Sequence, residues 1–473
     1  MSFSNLAFPF WAILIVFFYW IIKRGWRAGY LLVVSYWFYC LYSPKYSVIL
    51  AVMTVIAYFC GRLLERKKSG LLLAGSIFLN FLPLALLKGI SFFPSVCDLY
   101  SIVIPMGLSY YSFKVVGYLV DVYKKKVDAE KNFVSFALFV SFFPELLVGP
   151  IDRAGNLLAQ IKSPREFSWN EVKRGVFFAA FGYMQKMVIA DRIGMYVNTV
   201  YADPEAYAGT YTWVAVLLYS MQIYMDFAGC TNIARGLGMM MGYQLPCNFR
   251  QPYLSTSVAE FWRGWHMSLT GWFRDYVYIP LGGNRKGAVR KIINTMVVFA
   301  LSGLWHGNSK SFVVWGLLNG LFVVTGNATR RIRDRIWKAL HVDVSRMEFR
   351  ILRGAGTYLL ISLTWIFFRA DGIRQALKIF RGMLAAPDWY VLFSSEIYGP
   401  AFDAKNWYLL LIGLVVILCI SILAKKGFHL DEIILERPYV TQLLVLYILI
   451  FASVIWGVYG TSYDAANFIY MNF

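Results

Sequence analysis

"IINTMVVFALSGLWHG" (Ile292–Gly307) is an apolar run that ends on a histidine. The chain holds only four histidines in 473 residues: His266, His306, His341 and His429. A polar ring at the end of such a run costs free energy unless it is paired or used. Runs of this kind set the fold class. The chain is 59% hydrophobic and 15% charged, where soluble domains carry about 25% charged residues. Apolar segments near the roughly 17–25 residues that span a bilayer recur throughout. They fall near 6–22, 28–43, 46–62, 70–87, 99–120, 132–148, 175–197, 210–228, 292–306, 311–328, 355–368, 406–424 and 441–459. These segments predict an all-α polytopic membrane protein with about a dozen hydrophobic helices, in a single integral domain over residues 1–473. The opening "LAFPFWAILIVFFYWIIKR" (6–24) has no basic leader or small-residue cleavage site, so it reads as a retained first span.

The net charge of +20 lies in short clusters between the apolar runs. That pattern fits cytoplasmic loops attracted to anionic lipid, and no nucleic-acid partner is expected. "KRGWR" (23–27), "RLLERKK" (62–68) and "KKK" (124–126) mark every second span and place those loops inside. The alternation then breaks. "IDRAGNLLAQIKSPREFSWNEVKR" (151–174) should lie outside, yet it carries Arg153, Lys162, Arg165, Lys173 and Arg174. The segment before it contains Pro144, Glu145 and Gly149. Proline and glycine weaken a helix there, so the segment is expected to be re-entrant and to return to the cytoplasmic side.

The stretch 245–291 mixes Trp and Tyr with Arg, Glu, Asp and His, which fits an amphipathic or partly inserted helix. Ser255, Thr256 or Ser257 caps a helix starting near Val258. On one continuous helix, His266 would sit about two turns in, with Trp262 one turn behind it. There is no GxSxG elbow, no HExxH and no P-loop, and "LGGNRKG" (281–287) reads as a basic turn. The six cysteines show no CxxC spacing, and no dense Asp, Glu and His cluster suggests a metal, so none is expected.

Polar residues at bilayer depth are functional candidates by default. They are Glu145, Asp226 in "IYMDFAGCTNIARGLG", Asn248 in "NFRQPY", and Arg369 with Asp371 in "WIFFRAD". Each also has a structural reading as an internal pair or helix-end anchor. For His306 the alternatives are a ring tied to a carbonyl and a general base. His341 and His429 lie in charged loops and read as surface residues.

The ordered set "IPMGLSYYSF", "FFPELLVGPI", "IYMDFAGCTNIARGLG", "NFRQPY", "FWRGWHMSLTGWFRDYVYIPLGGNR", "LSGLWHG", "WIFFRAD" and "FIYMNF" runs from residue 104 to the C-terminus. With it the chain resembles the membrane-bound O-acyltransferase family, in its bacterial branch acting in alginate O-acetylation. The resemblance implies helices around a central tunnel in a bacterial cytoplasmic (inner) membrane. It implies acyl transfer from a thioester to a hydroxyl, with His306 as the family's histidine and His266 as a second one. The implied donor is acetyl-CoA or another acyl carrier, used as a substrate with no bound cofactor. The implied acceptor is a polysaccharide, reached with an extracytoplasmic SGNH-type partner. Peptidoglycan O-acetylation and teichoic-acid D-alanylation are alternatives on the same fold, and a transporter or flippase is an alternative of another class. Arg263, Arg274 and Arg285 are expected to attract an anionic donor, with Asn248 and Asp226 also near substrate. Gly264 stands where a second basic residue would be expected.

Overall fold

The computed structural model describes residues 7–42, 44–90, 105–385, 387–399 and 402–459. Cys97, the start of the 99–120 segment, Ile104 and the terminal "FIYMNF" lie outside the described residues. Within them each expected apolar segment is helical, and no strand occurs. In an apolar surround the backbone must satisfy its own hydrogen bonds, which a helix does within one segment.

The main helices are α1 (Phe8–Ile21), α2 (Arg27–Tyr42), α3 (Pro44–Arg66), α4 (Gly70–Ile90), α5 (Leu108–Tyr123) and α6 (Phe133–Ser141). Next come α7 (Trp169–Tyr183), α8 (Asp191–Ala202), α9 (Thr210–Met240), α10 (Val258–Gly264) and α11 (Met267–Phe273). The remainder are α12 (Gly287–His306), α13 (Lys310–Ala328), α14 (Arg330–Ala339), α15 (Met347–Arg369), α16 (Ile373–Leu384), α17 (Ala404–Lys425), α18 (Leu430–Leu435) and α19 (Tyr439–Trp456). Among the described residues, eight helices are long and apolar enough to cross a membrane: α3, α4, α9, α12, α13, α15, α17 and α19. The other hydrophobic segments form shorter or interrupted helices, so about a dozen segments supply eight full-length candidates.

The core gathers on α9, whose most apolar window is 72% buried, against 39% or less for the other seven. Its contact with α7 is glycine on glycine. A Cβ on Gly175 would lie 2.5 Å from the carbonyl oxygen of Gly236, and one on Gly182 would lie 2.5 Å from that of Gly229. The two pairs are seven residues apart on each antiparallel helix. Only hydrogen in place of a side chain lets the backbones approach this closely. Between α7 and α8 the chain forms a turn of π-helix, Met184–Ala190. There Lys186 Nζ sits 2.6 Å from both Asp191 Oδ1 and Asp226 Oδ1, with all three side chains at most 3% exposed.

The re-entrant expectation holds. At about 1.5 Å per residue, the nine residues of α6 reach far less than the hydrocarbon thickness of roughly 30 Å. The helix stops at Phe142, and Pro144 starts only the short turn Phe143–Leu146. The chain then returns to the side it came from. Lys162 Nζ pairs with Glu130 Oε2 at 3.2 Å. Arg24 and Arg27 donate to the carbonyls of Pro164 and Arg165. Loop 151–174 therefore shares one face, the basic face, with the clusters at 23–27, 62–68 and 124–126. Inside the fold, Lys114 Nζ on α5 meets Glu145 Oε2 at 2.8 Å and lies 4.9 Å from the ring centre of Phe139. Glu145 is thus an internal partner that pins the returning segment.

Two outcomes are expected. In a background without native cysteines, single cysteines at Lys126 and Lys162 are expected to label from the same side of the membrane with an impermeant thiol reagent; opposite sidedness would restore a simple span. Glu145→Ala is expected to cost about 3–5 kcal/mol by leaving a buried ammonium unpaired. The double change Lys114→Met with Glu145→Met should recover most of that loss in a detergent thermal-unfolding assay.

Candidate active site

The last turn of α12 carries Trp305 and His306 into the protein, 7% and 3% exposed. The run ends there because Gly307 takes an extended conformation. α12 and α13 cross closely at Gly303, which faces the carbonyl of Phe312, and at Gly316, which faces that of Phe299. The terminal carbonyls of a helix lack partners within it. Here the buried Lys88 Nζ, from the end of α4, donates to Leu304 O at 3.4 Å and to Trp305 O. Nothing in the sequence beyond a lysine closing an apolar run, "LALLKGI" (84–90), signals this anchor.

His266 reaches the same place from a break between two short helices. The structure corrects the expectation of one continuous helix. α10 ends at Gly264, Trp265 is extended, and His266 adopts the left-handed conformation with φ 42° and ψ 54°. The cap is Ser257, whose Oγ accepts from the Glu260 N–H at 3.2 Å. Trp262 therefore does not stack one turn behind His266 on a shared helix; its Nε1 donates to Asn319 Oδ1 at 3.2 Å. A left-handed non-glycine residue needs support from its surroundings. Asn248 supplies it: its backbone carbonyl accepts from the Met267 N–H at 2.9 Å, and its Oδ1 accepts from Ser268 Oγ at 2.6 Å. Ser268 Oγ in turn accepts from the Ile151 N–H at 3.0 Å. Asn248 is a positioning residue for His266, and the re-entrant loop braces the same turn.

The two histidines, 40 residues apart in sequence, meet across one indole. The Trp305 ring centre is 4.7 Å from that of His306 and 6.0 Å from that of His266. His306 also meets Trp315 and Phe368 edge-on, each at 5.1 Å, and His266 meets Phe227 at 4.7 Å. Burial lowers the pKa of His266, so its ring is neutral.

The indoles of this layer fall into two groups. Trp262, Trp272 and Trp365 donate to Asn319, to the Phe113 carbonyl and to Tyr253. The Nε1 groups of Trp305 and Trp315, beside His306, and the Tyr110 hydroxyl are buried and have no hydrogen-bond partner among the described residues. The Tyr110 ring lies 5.5 Å from that of Trp305. Buried unpaired donors are rare and costly. Here three of them lie close to the two buried histidines.

The remaining candidates lie elsewhere. The carboxylate of Asp226 is engaged by Lys186, while the next residue, Phe227, touches His266. Arg263, Arg274 and Arg285 are exposed, in contrast to the buried histidines, and Arg274 Nε bonds Asp275 Oδ1 at 2.9 Å. Arg369 is an anchor between helices, donating to Asn198 Oδ1 at 2.8 Å and lying 5.7 Å from the ring centre of Tyr201. In Asp371 the backbone N–H donates to Gln375 Oε1. His341 and His429 are exposed, away from the site. Among the described residues no group of three His, Cys, Asp or Glu side chains is placed to hold a metal. Asn248→Ala removes the acceptor of Ser268 and is expected to cost about 1–3 kcal/mol. Hydrogen exchange at residues 265–268 should speed up, and unchanged exchange would remove the bracing role.

Residues 128–341, which include both buried histidines, match the family-wide sequence profile of the membrane-bound O-acyltransferases. A probable alginate O-acetylase of Pseudomonas fluorescens is 32% identical over 379 residues, 78% of this chain and 73% of that protein. A probable alginate O-acetylase of Pseudomonas putida is 35% identical over 288 residues, 61% of this chain and 57% of that protein. A peptidoglycan O-acetyltransferase of Helicobacter pylori is 28% identical over 393 residues, 75% of this chain and 73% of that protein. The match thus spans little more than half of the Pseudomonas putida relative. With eight apolar helices of spanning length and these similarities, the chain is a multi-pass membrane protein and belongs to the membrane-bound O-acyltransferase family.

Proposed function

We propose that the chain is an O-acyltransferase that moves an acyl group, acetyl in the first instance, from a thioester donor to a hydroxyl on the way to an extracytoplasmic polysaccharide. The observation that carries this reading is the meeting of His266 and His306 across Trp305, beside buried donors without partners among the described residues. His306, buried at the end of α12, is the general base. It takes the proton of the acceptor hydroxyl as that oxygen attacks the thioester carbonyl. The carbonyl oxygen gains negative charge, and the N–H of Trp305 with the hydroxyl of Tyr110 are the donors suited to receive it. The carbon–sulfur bond then breaks, and the thiolate leaves with the proton that His306 took. His266 orients the donor or helps to move the proton. The apolar walls keep water from the activated acyl group.

In this reading a central tunnel leads the donor, acetyl-CoA or an acyl carrier, in from the basic face. Arg263, Arg274 and Arg285 attract its anionic groups. No cofactor stays bound. An SGNH-type partner outside the inner membrane completes delivery to the polymer. Alginate-like polysaccharide is the first acceptor to test, because relatives at 32% and 35% identity are named probable alginate O-acetylases. Peptidoglycan follows, from the relative at 28%.

His306→Gln keeps size and hydrogen-bonding capacity but cannot accept a proton near neutral pH. It is expected to fold normally, with acylation of polymer in complemented cells down about 10²–10⁴-fold by mass spectrometry. Substantial acylation by a monodisperse His306→Gln protein would refute the assignment. Trp305→Phe keeps an aromatic ring and removes the N–H. It is expected to lower turnover about 10²–10³-fold with little change in KM; a rise in KM alone would make the indole a binding group instead.

A further inference from the structure

α14 is the most polar helix of the chain, "RRIRDRIWKA", and none of its residues is buried. It follows α13, which runs antiparallel to α12, so it lies beside the start of α12 on the basic face. Its two sides differ. Arg330, Arg333, Asp334, Trp337 and Lys338, spaced i, i+3, i+4, i+7 and i+8, line a cleft of about 880 Å³. Ile332, Ile336 and the following Leu340 form a separate stripe, 59%, 47% and 63% exposed. A helix with a cationic side and an exposed apolar stripe lies in the membrane interface with that stripe in lipid. The cleft therefore opens where headgroups sit.

Its walls carry five cations, Arg263, Arg330, Arg333, Lys338 and Arg353, against one carboxylate, Asp334. Little of this charge is neutralised internally. Arg330 Nε is 3.8 Å from Asp334 Oδ2 in an exposed pair. Arg333 donates to the Gly326 carbonyl at 2.9 Å. Among the described residues, Lys338, Arg263 and Arg353 make no ion pair. The lining of the cleft also has an apolar part, Phe322 and Val323 on α13 and Leu360 on α15. Next to the cleft the outer surfaces of α13 and α15 present Leu321, Ile351 and Leu352, 46%, 61% and 68% exposed. A ligand for this place needs an anionic head, because arginine forks suit phosphate oxygens. It also needs an apolar tail.

We propose that the cleft seats the phosphate headgroup of an anionic phospholipid, with its acyl chains along α13 and α15. The site is separate from the two histidines, shares Arg263 with the proposed donor path, and rests on Arg330, Arg333 and Lys338 whether or not the acyl-transfer reading is correct. Free phosphate compounds share the headgroup chemistry but lack the tail, and the experiment distinguishes the two sources. The full chain is placed in phosphatidylcholine nanodiscs doped with phosphatidylglycerol, and retained lipid is counted by native mass spectrometry. Wild-type protein is expected to retain phosphatidylglycerol in preference to phosphatidylcholine. The triple change Arg330→Gln, Arg333→Gln, Lys338→Gln should weaken that retention by about 100-fold, given roughly a fivefold loss per cation near a membrane surface. Arg374→Gln, Lys378→Gln, Arg381→Gln on α16 changes the net charge equally and should leave it intact. If the triple variant is not monodisperse, Lys338→Gln alone is expected to give a loss of about fivefold. Equal retention of phosphatidylcholine, unchanged retention in the variants, or displacement of the lipid by millimolar pyrophosphate would overturn the proposal.

Discussion

The structure depends on how a helix end can be buried in apolar surroundings. The last carbonyls of a helix have no partner within it, and in a hydrocarbon environment water does not supply one. α12 ends inside the protein at His306, so something has to satisfy Leu304 and Trp305. Lys88 does so from another helix. That contact ties the end of α4 to the residues beside the site. The close crossing of α12 and α13 at Gly303 and Gly316 fixes the same end from the opposite direction. The imidazole of His306 is held by these two restraints together.

A similar logic places His266, but through backbone geometry instead of a charge. Its left-handed conformation turns the chain sharply between α10 and α11. Such a turn persists because Asn248 and Ser268 hold both sides of it. The re-entrant loop closes the arrangement through Ile151. The broken segment at Pro144 thus brings a polar backbone segment to membrane depth, where it braces the turn that carries a histidine. Non-helical backbone is tolerated at that depth because protein covers it.

Much of this was legible in sequence. Hydrophobic run length gave the helices, and the misplaced charges of 151–174 gave the re-entrant segment, since charge and run length report local partition into lipid. His306 and His266 stood out because polar rings are scarce here. What stayed hidden depends on contacts between distant segments. Gly175 with Gly236 and Gly182 with Gly229 are a small-residue pattern at a spacing of seven, readable only once α7 and α9 are known to be neighbours. Trp262 was assigned to the wrong environment because Gly264 was read as a substitution within a helix, and it is the last residue of one. Asp226 and Glu145 looked like candidates for chemistry. Their lysine partners lie 40 and 31 residues away, a separation at which no local pattern links them.

The distribution of charge then separates support from chemistry. The buried ionic groups are committed: Lys114 with Glu145, and Lys186 with Asp191 and Asp226. Breaking such a pair leaves an uncompensated charge in low dielectric, so these groups suit a fixed framework. Around the two histidines the side chains are indoles and a phenol, and the one nearby ion, Lys88, is committed to the carbonyls of Leu304 and Trp305. Neutral donors are cheap to bury while idle compared with an ion, and low dielectric strengthens each hydrogen bond they make to a charge that appears only transiently. The Nε1 atoms of Trp305 and Trp315 and the hydroxyl of Tyr110 are unpaired among the described residues, whereas Trp262, Trp272 and Trp365 are satisfied. Their desolvation is a standing cost of folding, offset elsewhere by the packed aromatic layer. In the proposed acyl transfer it would be recovered when the carbonyl oxygen gains negative charge at the site, which is the condition for stabilising a transition state more than a bound ground state.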